Sequence, residues 1–182
     1  MNERADRYRR LSQRFTEIVD AVQADRWESP SPCEGWSARD VVAHVVRTEA
    51  EFLTRMGFES PTLDGSDALA MWPAVREAVQ ARLDDPADAD REYDGWLGRT
   101  TFAASIDMFY SMDLTVHGWD LARATDLEAF MNFPDDELAA VRAAVEQLGD
   151  SVRMPGVFGP ALPVAADADE QTRLLAEIGR KA

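Results

Sequence analysis

The chain has 182 residues, of which 46% are hydrophobic and 29% are charged, a composition typical of one folded domain, here expected over residues 1–182. Lys and Arg number 19 against 34 Asp and Glu, so the formal net charge is −15. A surface of that sign repels phosphate backbones and anionic lipid, and we expect neither nucleic-acid nor membrane binding. With Cys33 as the only cysteine and a charged opening segment, we expect a cytoplasmic monomer or homodimer without intrachain disulfides.

Apolar residues recur at steps of three and four in most of the chain, which predicts amphipathic helices. The predicted helices cover residues 3–24, 37–57, 67–83 and 101–124, with another after Pro134 and a short final one at 169–178. Ser37 and Asp40 have the spacing of a capping box at the start of the second helix.

Three stretches between the helices lack this periodicity. Residues 61–66 predict a loop, the acidic run 84–94 predicts a solvated segment, and the Gly/Pro-rich stretch 155–163 predicts an extended one. Strand-like alternation of any length is missing from the sequence, so the predicted class is all-α. Four main helices with short to medium connections favour a four-helix bundle with a C-terminal appendage.

The two histidines of the sequence, His44 and His117, both fall on apolar stripes of predicted helices. Asp113 lies four residues before His117, so the two side chains share one helical face. A carboxylate on a core-facing stripe costs several kcal/mol unless it is paired or bound to a metal. One interpretation is a buried Asp113–His117 pair with His44 as an unrelated core histidine. The other is a metal site formed by all three, for zinc with an open position or for iron as a facial triad.

Other polar residues near these positions have two interpretations each. Asp120 follows His117 on the same face and could orient its imidazole, or it could be a solvated or capping residue. Thr48 and Glu51 lie one and two turns after His44 and could line a pocket, although a surface charge is the simpler role for Glu51.

Cys33 and two tryptophans stand close to the same segments. Cys33 precedes the predicted start of the second helix, where a helix N-terminus lowers a thiol pKa, but a buried and inert cysteine is the favoured interpretation. Trp36 and Trp119 could form walls of a pocket, and core packing explains them equally well.

Two segments carry a resemblance to a known family: PCEGWSARDVVAH at residues 32–44 and DLTVHGWDLA at residues 113–122. Together they resemble the DinB-like superfamily, and within it the actinobacterial metal-binding proteins related to the N-terminal domain of mycothiol-dependent maleylpyruvate isomerase. The resemblance extends over most of the chain, including residues 174–175 and 179–180 near its end.

The resemblance implies a four-helix bundle that holds a divalent metal, usually zinc, through His44, Asp113 and His117. The isomerase-type ligand at the position of Asp113 is a glutamate, which is one methylene longer. We therefore expect a different geometry or metal preference, and we do not expect maleylpyruvate isomerisation itself.

The expected function is metal-dependent thiol chemistry. The open coordination position would take the sulfur of a small thiol, mycothiol by resemblance, and the metal would stabilise its thiolate for attack on an electrophilic substrate in a transferase-like or isomerase-like reaction. Two alternatives stay open: metal-assisted hydrolysis with water in place of the thiol, and a non-catalytic, stress-linked metal- or ligand-binding bundle that assembles with a partner.

Overall fold

The computed structural model describes residues 2–62, 67–154 and 157–181, so the predicted segments 61–66 and 155–163 lie partly outside the described residues. Helices dominate the described part. The longer ones are α1 (Glu3–Ala21), α2 (Ala38–Arg55), α3 (Ala68–Asp84), α6 (Ser111–Ala124) and α7 (Asp135–Leu148), and the shorter ones are α4 (Pro86–Ala89), α5 (Phe102–Ser105) and α8 (Glu170–Glu177). The all-α class is confirmed, and the extent of one domain over residues 1–182 stays a prediction.

Helices α1, α2, α3 and α6 form the four-helix bundle. α2 packs against α3 and α6, and α1 packs against the same two helices from the opposite side. Large apolar side chains fill the space between them and lose nearly all contact with solvent: Phe15, Phe52, Trp72, Phe102 and Leu121. Burial of apolar surface on this scale stabilises the bundle through the hydrophobic effect.

The start of α2 is fixed by the predicted capping box. The Asp40 backbone N–H donates to the Ser37 hydroxyl, and the Asp40 carboxylate accepts from the Ser37 backbone N–H. Satisfying these donors stabilises the first turn of the helix. The cap therefore sets the helical phase that places His44 on the inner face of α2.

A short β-hairpin replaces part of the predicted solvated run. Strands β1 (Glu92–Gly95) and β2 (Gly98–Thr101) pair antiparallel, with Gly95 opposite Gly98. Gly98 has a φ of +107°, a conformation that glycine reaches without the penalty a side chain would bring. Strands of four residues are too short to produce a recognisable alternation, which is why the sequence analysis missed them.

The predicted helix at 101–124 is interrupted before the candidate ligands. After α5, residues Ile106–Tyr110 form a π-helical turn, and the Ser111 backbone N–H donates to the Ile106 carbonyl five residues back. Phe109 and Tyr110 of this turn both line a cavity, and α6 continues directly after them. Such turns are rare and often accompany functional sites, and neither Gly nor Pro marks this one in the sequence.

The C-terminal appendage packs on the outer face of α6. Helices α7 and α8 bury a second apolar cluster against Val116 and Trp119, so core packing, rather than a pocket wall, is the role of Trp119. Gly179 has a φ of +82°, and a Cβ there would come within 2.9 Å of the Gly159 Cα. This close approach holds Arg180 against the end of α6. In the described ranges, no helix is long and apolar enough to span a membrane.

Candidate metal centre

His44 from α2 meets Asp113 and His117 from α6. The His44 Nε2 lies 3.2 Å from Asp113 Oδ2, and the His117 Nε2 lies 3.5 Å from Asp113 Oδ1. One possible ligand atom from each residue lies within 4.8 Å of the others. His44 thus contacts Asp113, and its interpretation as an unrelated core histidine is wrong.

The spacing of these donors suits a small divalent cation. The nitrogen–oxygen distances of 3.2 and 3.5 Å reach different oxygens of Asp113 and are also those of a hydrogen-bonded site without metal. What supports a common ion is that one donor atom from each residue lies within 4.8 Å of the other two. Two imidazoles and one carboxylate are also a donor set that zinc accepts, with room for a further ligand. The residues present therefore fit the metal that the resemblance implies.

Charges within the triad change its protonation. Burial by itself would lower the pKa of His117, but the Asp113 charge and the hydrogen bond to Asp120 raise that pKa to about 10. Burial would raise the pKa of Asp113, and the charge of His117 with the bond from His44 holds it below its ordinary value. A metal bound here would have to displace a proton from His117, so its affinity would fall as the pH falls.

Asp120 binds the Nδ1 side of the His117 ring. Its Oδ2 lies 2.9 Å from His117 Nδ1, and its side chain is completely buried. Arg180 donates to both carboxylate oxygens, from Nε to Oδ1 at 3.3 Å and from Nη2 to Oδ2 at 3.1 Å. This geometry directs the His117 Nε2 toward Asp113, as in the carboxylate–histidine pairs that support zinc ligands. The solvated alternative for Asp120 is wrong.

Cys33 lies beside this supporting carboxylate. Its thiol donates to Asp120 Oδ2 at 3.2 Å, and Arg180 Nη2 approaches its sulfur at 3.4 Å. Cys33 is half-buried and lines a cavity, so the expectation of a buried cysteine is wrong. Cys33, His117 and Asp120 form a second group with metal-ligand spacing. The guanidinium cation at the sulfur disfavours a second cation there, so the first group is the better candidate.

The other side chains singled out from the sequence divide between the site and the surface. The Trp36 ring lies 4.9 Å from the His44 ring and 5.9 Å from the His117 ring, so Trp36 is part of the site wall. Thr48 lines the cavity, but its hydroxyl donates to the His44 carbonyl in its own helix. Glu51 is exposed and lines a different surface depression.

The triad faces a cavity of about 750 Å³, within the range of small-molecule sites. Exposure increases from the triad outward: the His117 side chain is 7% exposed and Asp113 is 26% exposed, whereas Trp96 in the outer wall is 51% exposed. The rest of the wall is mainly apolar and comes from the π-helical turn, the end of α7 and the segment at 157–162. It includes Phe109, Leu148, Val157, Phe158 and Leu162.

Besides Asp120, a carboxyl group on α2 is also fully buried near the triad. Glu49 accepts a hydrogen bond from the Tyr8 hydroxyl at 2.8 Å, and its other oxygen has no hydrogen-bond partner among the described residues. Burial, together with the Asp113 charge, raises the pKa of Glu49 to about 8. Glu49 is therefore mainly protonated at neutral pH.

Sequence reasoning missed Arg180, Glu49 and Trp96 as parts of this region. Arg180 follows Gly179 in a segment that the resemblance included, but nothing in the sequence indicates a contact across 60 residues to Asp120. A glutamate within a predicted helix gives no sign of burial, and a tryptophan just after an acidic run gives no sign of a cavity.

The bundle, with two histidines and a carboxylate on adjoining helices, is of the DinB-like class. The chain belongs to the family described as mycothiol maleylpyruvate isomerase N-terminal domain, which it matches over residues 8–122. The matched range contains Cys33, the triad and Asp120, and ends before Arg180. The family resemblance found in the sequence is thus confirmed.

Two proteins of Mycobacterium tuberculosis are similar to the chain over most of its length. They are the uncharacterized protein MT0763 of strain CDC 1551 / Oshkosh and the uncharacterized protein Rv0738 of strain H37Rv. Each is 26% identical over 178 residues, which covers 95% of this chain and 95% of the relative. No solved structure gives a significant match.

Proposed function

We propose that this protein is a divalent-metal-dependent enzyme of thiol chemistry, with His44, Asp113 and His117 as the ligands and zinc as the metal. In the proposed reaction, the sulfur of a small thiol adds to an electrophilic substrate, and the adduct is either the product or releases the thiol again after the substrate has isomerised. Mycothiol is the proposed cosubstrate because the family description names it. The observation that supports a catalytic role is the opening of the triad onto a large cavity.

Structural zinc sites are closed by a fourth protein ligand, whereas catalytic sites keep one position for substrate. Within the described ranges, the donor group of His44, Asp113 and His117 includes no fourth imidazole, carboxylate or thiol. All three residues of the triad line the cavity. A small thiol and its electrophile therefore have a common approach to the same position.

A zinc ion in this position would lower the pKa of a bound thiol, so that a thiolate is available near neutral pH. The protein's residues supply the orientation. Asp120 accepts a hydrogen bond from the Nδ1–H of His117, which leaves the lone pair of Nε2 to bind the metal. Trp36 contacts both imidazole rings, which restricts their rotation and keeps water from one side of the site.

The first test is metal content by elemental analysis of the purified protein. We expect about one divalent ion per chain in the wild type and loss of the ion in His117→Ala and His44→Ala, because two remaining ligands do not hold zinc. Thr48→Val is the matched control, since Thr48 lines the cavity but its hydroxyl bonds to its own helix. Wild-type stoichiometry in His117→Ala would refute the ligand assignment.

The second test is the absorption spectrum of the cobalt-substituted protein. Adding a small thiol should produce an intense sulfur-to-metal charge-transfer band that is retained in Cys33→Ser and lost or distorted in Asp113→Ala. A band already present without added thiol, and absent in Cys33→Ser, would show instead that Cys33 is a ligand. If millimolar thiol changes neither the spectrum nor the turnover of a generic electrophile, the hydrolytic and non-catalytic alternatives replace the thiol reaction.

A further inference from the structure

The turn of the β-hairpin carries two exposed apolar side chains. Trp96 and Leu97 connect β1 to β2 and are 51% and 48% exposed. Two-residue hairpin turns are usually formed by Gly, Asn or Asp, which solvate well and adopt the required backbone. Neither residue has a positive φ, so turn geometry does not account for the choice of side chains.

The two side chains differ in what they face. Trp96 lines the cavity above the triad, with its ring 6.1 Å from that of Phe109, whereas Leu97 does not line the cavity. Phe158 and Leu162 line the same cavity, and Leu162 is 37% exposed. The polar triad and this more exposed apolar wall therefore belong to one space.

The charges along the wall disfavour an ionic ligand body. Arg180 is the guanidinium cation of the wall, and its N–H groups bind Asp120, Cys33 and the Ile178 carbonyl. Glu34 adds a negative charge to the wall, and the chain as a whole has a net charge of −15. An anionic body would be repelled, and a strongly hydrated cation would lose water against aromatic rings.

We infer that the site takes an amphipathic ligand with a metal-binding head and an uncharged, ring-bearing body, and that Trp96 determines this specificity by contacting the body. The inference on the head group rests on the proposed function, whereas the inference on the body rests on the wall alone. Aromatic rings prefer offset or edge contacts with one another, and the Trp96 and Phe109 rings provide two such surfaces. Within the proposed function, the electrophile is therefore an aromatic or similarly cyclic, uncharged compound.

The test compares four probes on the zinc-loaded protein by calorimetry: acetamide, acetohydroxamate, 2-naphthamide and 2-naphthohydroxamate. The hydroxamate-to-amide ratio of affinities reports the metal, because amides bind zinc poorly. The naphthyl-to-methyl ratio reports the apolar wall. We expect the second ratio to be at least about tenfold in the wild type, both for the amides and for the hydroxamates.

The variant Trp96→Ala should reduce the naphthyl-to-methyl ratio by about threefold or more, because the rest of the apolar wall remains, and should leave the hydroxamate-to-amide ratio unchanged. Leu97→Ala is the matched control, because it removes an equally exposed apolar side chain from the same turn but outside the cavity. A wild-type ratio near unity, or equal ratios in Trp96→Ala and wild type, would overturn the inference. Hydroxamates that bind no better than amides would refute the proposed metal centre. In that case, the affinity ratio of 2-naphthamide to acetamide in wild type and Trp96→Ala would still test whether Trp96 contacts the ligand body.

Discussion

Replacing Asp120 by Asn tests whether the buried network behind His117 stabilises the protein through charge. The Asp120 carboxylate is completely buried and accepts two hydrogen bonds from Arg180, which is itself only 6% exposed. Asn has the same shape but no charge, so Asp120→Asn leaves the guanidinium buried without its counter-ion. A buried cation whose hydrogen-bond partners are all uncharged lowers the free energy of unfolding, because its lost hydration is not replaced by an opposite charge.

The expected loss follows from this burial. Breaking a buried ion pair by removing one partner costs about 3–5 kcal/mol, whereas breaking an exposed pair costs about 0–1 kcal/mol. For a chain of this length, that loss lowers the midpoint of thermal unfolding by roughly 6–20 °C. Glu92→Gln is the matched control, since Glu92 and Arg99 are 58% and 64% exposed in their ion pair.

The decisive measurement is a double-mutant cycle by urea or thermal unfolding of the metal-free protein. If the cost of Asp120→Asn comes from the orphaned cation, adding Arg180→Met should recover about 1–3 kcal/mol of the free energy of unfolding, because the second change removes that cation. Additive losses would show that the two residues act independently and would refute the reasoning. So would a free energy of unfolding of Asp120→Asn that equals that of the Glu92→Gln control.

Three further predictions concern single residues. Because burial raises the pKa of Glu49 to about 8, the folded protein retains a proton that the unfolded chain releases above about pH 4.5, and stability falls as the pH rises between these values. Urea unfolding should show the stability of Glu49→Gln relative to wild type rising by about 2–4 kcal/mol from pH 5 to pH 8.5, with no such trend for the exposed Glu51→Gln. The raised pKa of His117, about 10, contributes stability that is present below pH 6.5 and lost as the pH rises toward 10. In chemical unfolding of the metal-free protein, the wild type should therefore lose more stability across that window than His117→Ala, which retains only the contribution of Glu49 up to about pH 8. Gly179→Ala should lower the unfolding midpoint more than Gly57→Ala, since both have a φ near +80° but only Gly179 has backbone within 3 Å of the added Cβ; equal losses would exclude the contact.

The parts of the fold that the sequence predicted depend on local patterns. Helical periodicity and the Ser37–Asp40 cap place His44 on the inner face of α2, and the spacing of Asp113 and His117 places them on one face of α6. These are relations between near neighbours in sequence, and helix geometry converts them directly into positions. The convergence of α2 on α6 was one of two interpretations of the residues alone, because periodicity does not specify which helices are neighbours, and the family resemblance favoured it.

The parts that the sequence did not predict depend on long-range packing. Arg180 reaches Asp120 because two glycines, Gly159 and Gly179, allow their backbones to touch, a contact between segments far apart in the chain. The π-helical turn at Ile106–Tyr110 has a helix-forming sequence, so no local propensity separates it from an α-helix. The environment of a side chain, and with it the burial of Glu49, is likewise decided by what the folded bundle places around it.

The site has two parts, which differ in the same way: the triad depends on local helix patterns, and the outer wall depends on long-range packing. The triad comes from helices whose faces are fixed by periodicity, and it is held rigidly by Trp36 and by the Asp120–Arg180 pair. The outer wall comes from connecting segments, the hairpin turn with Trp96 and the stretch that contains Phe158. Connections change more freely in sequence than the helices of a bundle, because fewer core contacts constrain them. In the proposed function, the triad supplies the metal chemistry and the wall selects the substrate, so the residue at the hairpin turn is where we expect a change of substrate to act.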